Sequence, residues 1–513
     1  MSDHRPEDEF APMQGAPLWI AGFLLALANF MVVLDITIAN VAVPNIAGGL
    51  AVSPDQGTWV ITSYSVAEAI TVPLTGWLAQ RFGAVKVFCT AMVSFGACSA
   101  LCGLAPSLGV LVVFRVLQGL SGGPMMPLSQ TLMRRIFPAH QQGTALGLWG
   151  MTTVVGPIVG PLLGGVLVDG PGWPWVFYIN VAPALICAWF AWRILKTRET
   201  ATERKPVDIF GLALLILWVG CMQIMLDKGK DLDWFDSRFI VALAILAALG
   251  FLAFINWELT DPNPIVDLRV FRHRGFAAST AIMCVVYGAF FSSVVLIPLW
   301  LQTSLGYTAT WAGRVTAWQG LFAVILSPIV GRLVTRVDSR ALVCFGVTIM
   351  AGVSFWRSGF VSNVGYWNIA SPHVLLGVAV PFFFIPLTGL ALSSVKPQET
   401  ASAAGLLNFA RTVSGAFAVS ITTTAWENTA AAHHADLAGN LNDPNATLNS
   451  LRSMGLSAQQ AVAGLDNLVQ GQAVMISTDH IFLISGLMFL FGACVVWLAP
   501  RPRTQVAAGA GGH

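Results

Sequence analysis

The sequence predicts an all-α polytopic membrane protein, and three observations lead to this fold class. Hydrophobic residues make up 56% of the 513 positions and charged residues only 10%, whereas a typical soluble domain has about 25% charged residues. Apolar stretches of about 20 residues, the length of a membrane-spanning helix, recur along the whole chain. These stretches lack the alternation of a β-barrel, so the spans are predicted to be helices.

The same composition excludes several classes of protein. A soluble enzyme of this length needs more surface charge than 27 Lys and Arg with 25 Asp and Glu can provide. A disordered or fibrous chain does not fit either, and a net charge of +2 without a basic block argues against nucleic-acid binding. The eight cysteines lie in apolar stretches without a CxxC spacing, so we expect packing roles and no metal site.

Fourteen stretches are long and apolar enough to span a bilayer as helices. Their approximate limits are 18–39, 57–79, 84–104, 108–132, 142–167, 173–193, 207–227, 238–258, 276–301, 311–335, 340–360, 372–394, 402–427 and 479–498. The first is predicted to be a retained span, because acidic residues precede it and it is too long for the apolar region of a secretory signal.

Lys and Arg residues orient these spans. With the N-terminus inside, nineteen of the 27 lie on the cytoplasmic side, six lie outside and two lie within spans. This bias supports an even number of spans with both termini in the cytoplasm. The one long loop, 428–478, then faces outwards, and its length favours a docking role. Its adjacent His433 and His434 are interpreted as solvated loop residues.

A weak internal repeat divides the chain into two halves. Four residues at the end of the second span recur 255 positions later, and a Gly-Leu pair recurs at an offset of 258. The matches are Pro73, Gly76, Leu78 and Arg81 with Pro328, Gly331, Leu333 and Arg336, and Gly147-Leu148 with Gly405-Leu406. Two homologous six-helix halves, at 1–200 and 270–513, would leave this trace. The helix pair at 207–258 is then an insertion.

Two glycine-rich motifs lie in the first half of the chain. In the turn over 76–86, Gly76 and Gly83 permit a tight reversal and Arg81 faces the cytoplasmic headgroups. The fifth span carries small residues four positions apart, which let helices approach closely, and prolines that bend it. The residues of this second motif are Gly156, Gly160, Pro161, Gly164 and Gly165.

Four charged residues within spans are the candidates for proton coupling, because lipid makes buried charge costly. At 1.5 Å per residue, Asp35 and Arg115 lie within roughly 5 Å of each other in depth, and they can pair if their helices touch. A purely structural ion pair is the alternative. Glu68 lies near the middle of its span, where desolvation favours the neutral acid and permits proton transfer, unless a fixed hydrogen bond protects it. Arg411 could bind an anion, act as a gate or neutralise a carboxylate.

These motifs resemble signatures of the major facilitator superfamily. The turn over 76–86 is similar to the pattern G-x-L-A-D-R-x-G, with Gln80 where the family usually has Asp. The segment 156–165 resembles the antiporter motif of the exporters in this superfamily, and 34–44 and 115–119 resemble further signatures. The resemblance implies that the two glycine-rich motifs take part in conformational change and gating. With fourteen spans and a long outward loop, the chain resembles the fourteen-helix drug:proton antiporter subfamily and its EmrB-type pumps. Residues 57–64 and 408–412 are also similar to that type.

The resemblance implies a major facilitator fold of two six-helix bundles plus two additional central helices. The implied parts are a cytoplasmic tail (1–17), an N-terminal bundle (18–200), the two extra helices (201–262), a C-terminal bundle (263–500) that includes the periplasmic loop 428–478, and a second cytoplasmic tail (501–513). It implies a multidrug efflux antiporter of the bacterial inner membrane, which is driven by a proton gradient and needs no cofactor. Its expected partners are a periplasmic membrane-fusion adaptor and an outer-membrane channel.

Amphipathic drug-like substrates are expected to bind in a central cavity with an apolar, aromatic and Met-rich wall. The candidate lining residues are Tyr64, Gln118, Trp149, Met151, Asn408 and Phe409. An exporter of one metabolite or siderophore is the alternative, because specificity lies in the cavity and not in the motifs. The fifth-span motif argues against uptake. A membrane enzyme is disfavoured, since no HExxH, no GxxxxGK[ST] and no catalytic constellation is present.

Overall fold

The computed structural model describes residues 12–138, 141–203, 206–361, 364–441 and 443–500. Throughout these ranges the regular secondary structure is helical, and they contain no strand. The predicted all-α architecture is therefore confirmed.

The helices fall into two large groups and a central pair. The N-terminal group is α1 (Ala16–Gly49), α2 (Pro54–Gly57), α3 (Trp59–Thr71), α4 (Thr75–Phe82), α5 (Ala84–Gly103), α6 (Leu108–Gly122), α7 (Met125–Ile136), α8 (Gln142–Asp169), α9 (Trp175–Tyr178) and α10 (Val181–Leu195). The central pair is α11 (Ile209–Lys228) and α12 (Arg238–Thr260). The C-terminal group is α13 (Arg274–Thr303), α14 (Ala309–Leu333), α15 (Ser339–Arg357), α16 (Tyr366–Ser393), α17 (Thr400–Gly439), α18 (Pro444–Ser453) and α19 (Ala458–Val495).

Twelve helical segments of the described chain are long and apolar enough to cross a membrane, and a thirteenth is added if the two parts of α8 count as one bent span. The fourteen predicted spans are compatible with this set. The predicted span outside this set, 57–79, corresponds to α3 and α4, which are separated at residues 72–74. Pro73 lies in this break, where it cannot donate a backbone hydrogen bond.

Each large group contains an apolar core, and the core of the C-terminal group extends into the central pair and α3. One core joins α1, α5, α7 and α10, and another joins α13 with α15, α16 and α17. Helix α11 contacts α3 on one side and α17 on the other. Lys228 Nζ donates a 2.7 Å hydrogen bond to Thr58 Oγ1, and Ser420 Oγ donates one of 2.8 Å to the carbonyl oxygen of Leu226. The central pair therefore links the two halves.

The segment 428–478 is not the loop that we expected. Helix α17 continues to Gly439, α18 follows, and α19 begins at Ala458. Alanine, leucine and glutamine favour helix over much of this stretch, and Ser457 with Gln460 forms a capping box that starts α19. The segment, here called the outer projection, thus extends α17 and α19 beyond their apolar spans.

The two halves meet closely at the end that the predicted orientation places in the cytoplasm. A Cβ on Gly147 would lie 2.8 Å from the carbonyl oxygen of Ser327, and a Cβ on Gly405 would lie 2.9 Å from that of Val72. Val72 and Ser327 are 255 positions apart, and the two glycines are 258 apart. The internal repeat therefore generates both contacts, which are related by pseudo-symmetry.

A second pair of contacts between the halves is related by the same two offsets of 255 and 258 positions. A Cβ on Gly76 would lie 2.8 Å from the Cα of Ser402, and a Cβ on Gly331 would lie 2.8 Å from the Cα of Thr144. Side chains cannot be accommodated where backbone meets backbone at these distances. We call these four glycines, Gly76, Gly147, Gly331 and Gly405, the cytoplasmic seam.

Candidate functional site

A fully buried ion pair joins α1 to α6. Arg115 Nη1 lies 2.5 Å from Asp35 Oδ2, and both side chains have no solvent exposure. The depth argument from the sequence therefore gave the correct pairing. Because the surrounding helices are membrane-spanning, neither charge could be buried at this position without its partner except at large cost.

The Asp35 carboxylate accepts two further hydrogen bonds. Gln118 Nε2 donates to Oδ1 at 2.9 Å, and Asn180 Nδ2 donates to the same oxygen at 2.8 Å. Three donors from α6 and the start of α10 thus surround an acceptor-only group, which suits an ionised carboxylate. These hydrogen bonds occupy three of the four lone-pair sites of the carboxylate.

Arg115 is held from several other directions. Its Nε donates to the carbonyl oxygen of Val60 at 2.9 Å, and its guanidinium lies 4.3 Å from the ring centroid of Tyr64 and 5.5 Å from that of Phe177. Such cation–π contacts stabilise a desolvated cation. Among the described residues, its Nη2 has no hydrogen-bond partner. Arg115 is therefore fixed on α6 while Asp35 lies on another helix.

Glu68 and Arg411 lie on opposite halves and are both buried. No hydrogen bond or ion pair reaches the Glu68 carboxylate from the described residues, although its charge interacts with that of Arg411. Arg411 Nη2 lies 3.0 Å from Met126 Sδ, and the guanidinium lies 5.6 Å from the Trp149 ring and 5.7 Å from the Tyr287 ring. Glu68 is thus a buried carboxylate that faces a cation across the interface without direct contact.

The six predicted cavity residues lie in different environments. Tyr64 and Gln118 belong to the surroundings of Arg115, and Trp149 is buried with its Nε1 donating to Ser129 Oγ at 2.8 Å. Asn408 Nδ2 donates to Gln130 Oε1 at 2.7 Å, so it connects the halves. Phe409 packs edge-on against Trp218 of α11, and Met151 is half-buried.

A cavity lies between α8 and the C-terminal half. Its walls come from α8, α13, α14 and α16, and they include Tyr287, Phe290, Phe291, Gln319, His373 and Phe384. None of the six predicted residues lines this cavity. Sequence reasoning missed His373 because histidine is neutral at pH 7 and only charged residues within spans were candidates. A histidine in an apolar helix is nevertheless a usable signal.

The motif over 76–86 is fixed by an acidic residue that we did not predict. Gly83 adopts a φ of 94°, and Glu199 accepts hydrogen bonds of 2.9 Å from the backbone nitrogens of Val85 and Lys86. Glu199 therefore satisfies free amides at the start of α5 and interacts favourably with its helix dipole. Arg81 lies 5.3 Å from the Trp77 ring.

The fifth-span motif forms the contact between α8 and α1. A Cβ on Gly160 would overlap Thr37, and one on Gly164 would lie 3.2 Å from Ile38 Cγ1. Gly156 likewise faces Val33, whereas no atom of the described chain lies within 4 Å of a Cβ added at Gly165. Helix α8 bends by 44° between residues 157 and 159, where Pro157 and Pro161 interrupt its hydrogen bonds.

This difference predicts unequal effects of the same substitution. Gly160→Ala should destabilise the protein by about 1–3 kcal/mol because the added methyl overlaps α1. Gly165→Ala adds the same methyl to open space and should be neutral or slightly stabilising. Thermal unfolding of the purified variants in detergent measures both. Equal stability of the two variants would contradict the packing role of Gly160.

Comparison with known proteins places this arrangement in a family. The model of the Major Facilitator Superfamily matches residues 25–419. The chain is 44% identical to the multidrug export protein EmrB of Escherichia coli K12 over 98% of its own length and 99% of that protein. It is 43% identical to the fatty acid resistance protein FarB of Neisseria gonorrhoeae over 98% of this chain and 100% of the other.

Solved structures support the same fold at much lower sequence identity. The proton:xylose symporter XylE superposes with a TM-score of 0.58 at 14% identity, covering 94% of this chain and 96% of that one. The human organic anion transporter MFSD10 gives 0.56 at 13% identity, covering 93% and 100%. By its sequence match, its relatives and its fold, the chain belongs to the major facilitator superfamily of membrane transporters.

Proposed function

We propose that this protein is a proton-driven multidrug efflux antiporter that exports amphipathic and hydrophobic toxic compounds by alternating access. The observation that carries the proposal is the buried ion pair of Asp35 and Arg115, in a chain 44% identical over nearly its full length to a multidrug export protein. A buried acid and base within spans are costly and usually functional. They offer a carboxylate whose protonation can bias a conformational equilibrium.

The proposed coupling follows from the partners of Asp35. Protonation of Asp35 removes its charge attraction to Arg115 and replaces an acceptor by a donor in a shell of three donors. Helices α1 and α6 would then be free to separate, and a state with different packing becomes populated. Glu68 is the second candidate, since it is buried near Arg411 without a hydrogen bond from the described residues.

The closed cytoplasmic seam supports alternating access. In the predicted orientation, the contacts of Gly76 with Ser402 and of Gly331 with Thr144 shut the cytoplasmic end between the halves. Transport requires that these contacts break while the outer end closes. We assign this cycle to the bacterial inner membrane, with both termini in the cytoplasm and protons entering from outside. It uses the proton gradient and no cofactor.

Inverted membrane vesicles test the proposed function. A proton gradient is imposed, and compounds from a panel of lipophilic cations, neutral aromatics and weak acids are added one at a time. Several unrelated compounds should discharge the gradient only when the protein is present. Discharge by a single compound would favour the exporter of one metabolite or siderophore, and discharge by none would contradict the antiporter proposal.

The outer projection is proposed to bind a periplasmic membrane-fusion adaptor, which in turn would contact an outer-membrane channel. Its helices are joined by a 2.9 Å contact between His434 Nε2 and Asp466 Oδ1. The side chains of Val462 and Leu468 are more than half exposed on α19. Exposed apolar side chains on a helix outside the membrane are typical of helix–helix docking.

The double variant Val462→Asp/Leu468→Asp should weaken co-purification with the adaptor at least about tenfold, because it places two charges in an apolar contact. Gln459→Asp/Gln470→Asp adds the same charge at exposed polar positions of the same helix and should have little effect. Discharge of the gradient in vesicles should be unchanged for both. If both variants bind the adaptor equally well, the contact lies elsewhere.

A further inference from the structure

The cavity beside α8 contains a polar group that the proposed coupling does not use. His373 lies on α16, is 1% exposed and lines the cavity. We propose that this cavity binds uncharged aromatic amphiphiles that carry a hydrogen-bond donor, and that His373 Nε2 accepts the hydrogen bond. The proposal names a ligand class for the drug transporter proposed above and therefore rests on that function.

The hydrogen-bonding role of His373 follows from its other nitrogen. His373 Nδ1 lies 2.9 Å from the carbonyl oxygen of Ile369. A carbonyl oxygen can only accept, so Nδ1 carries the ring hydrogen and Nε2 of the neutral imidazole offers a lone pair. No described residue donates to Nε2. An unpaired acceptor in an apolar span is unfavourable, and a ligand with an O–H or N–H group satisfies it.

Aromatic rings shape the rest of the cavity. Tyr287 stacks on Phe291 with centroids 5.4 Å apart and an interplanar angle of 17°. Phe384 packs edge-on against both Tyr287, at 5.8 Å, and Phe290, at 5.9 Å. These rings hold one another in place, so they form a rigid apolar wall that a flat aromatic body can pack against with little loss of entropy.

The charges around the cavity disfavour a cationic ligand. The described lining includes no carboxylate, and its large polar side chains besides His373 are Gln319 and Tyr287. Arg411 lies 5.7 Å from the Tyr287 ring, and the fully buried Arg357 is close enough for its charge to act on His373. A cation would therefore enter a poorly solvated site near two guanidinium groups, and the Glu68 carboxylate, whose charge also reaches Tyr287, lies outside the lining.

Binding of three matched probes to the purified full-length protein tests this assignment. The probes are 1-naphthol, its methyl ether and N-methylquinolinium, which share a two-ring body. Naphthol should bind at least about tenfold more tightly than the ether, because the ether leaves Nε2 unpaired. His373→Phe should reduce this ratio to about one by weakening naphthol alone, and His373→Gln, which retains an acceptor, should restore part of it.

Three results would overturn the proposal. They are equal affinities of the wild type for naphthol and the ether, an equal loss of both in His373→Phe, and tighter binding of N-methylquinolinium than of naphthol. The His373→Gln variant maintains the test if His373→Phe fails to fold. Probe binding is measured without a proton gradient, so failure of vesicle transport and failure of this site are distinguishable.

Discussion

Replacing Asp35 by Asn is expected to abolish proton-coupled efflux while the protein remains in the membrane. Asparagine matches aspartate in shape, but it cannot take up a proton near neutral pH and it does not carry the negative charge that pairs with Arg115. The NH₂ of the asparagine amide would also face other donors. In one orientation these are the amides of Gln118 and Asn180, and in the other the guanidinium of Arg115. Discharge of an imposed proton gradient in inverted vesicles should fall to the level of vesicles without the protein.

The substitution also leaves Arg115 without its counter-ion, so stability and coupling must be separated. Breaking a buried ion pair by removing one partner costs about 3–5 kcal/mol. The double variant Asp35→Asn/Arg115→Met removes the second charge and should recover much of the lost thermal stability without recovering proton discharge. If the double variant regains efflux, the pair is structural and Asp35 is not in the proton path.

Two further carboxylates complete the experiment. Glu427→Gln alters an exposed ion pair with Lys230 at the base of the outer projection and should leave coupling unchanged. Glu68→Gln discriminates between the two candidate carriers. Loss of discharge in Glu68→Gln as well as Asp35→Asn would assign protons to both carboxylates, whereas full efflux by Asp35→Asn would leave Glu68 as the carrier.

The sequence was sufficient to locate the apolar helices and to match the depth of Asp35 with that of Arg115. Hydropathy locates a residue along the membrane normal, and Asp35 and Arg115 could be matched because depth depends only on the rise per residue. The repeat also predicted two related halves, and the seam contacts of Gly76 and Gly331 now give that weak similarity a physical reason: only glycine fits there.

The side of a helix that faces a cavity could not be predicted in this way, nor could the contacts between residues that are distant in the chain. An apolar helix gives little sign of which side meets lipid and which meets a cavity, so Phe409 was assigned to a cavity although it packs on Trp218. Asn180 and His373 are neutral and were overlooked, although both are buried polar groups. The helical form of 428–478 was missed because low hydropathy ends a span without ending a helix.

The seam glycines give the second large expected effect. Gly331→Ala and Gly76→Ala each place a methyl against backbone of the opposite half, 2.8 Å from the Cα of Thr144 and of Ser402 respectively. Backbone cannot move aside as a flexible side chain does, so each variant should destabilise the closed cytoplasmic end by about 1–3 kcal/mol. The population in which the seam is open should rise by roughly 5- to 150-fold.

A thiol at position 146 reports the opening, because Leu146 is buried against Val330 and Ile385 across the interface. In a background without the eight native cysteines, a membrane-impermeant maleimide should label Leu146→Cys slowly from the cytoplasmic side and much faster when Gly331→Ala or Gly76→Ala is added. Gly150→Ala is the matched control, since its Cβ would lie 3.8 Å from Ile385 Cγ1. The internal repeat requires the two seam variants to act alike. Faster labelling in only one of them would show that the two contacts do not close the seam equally.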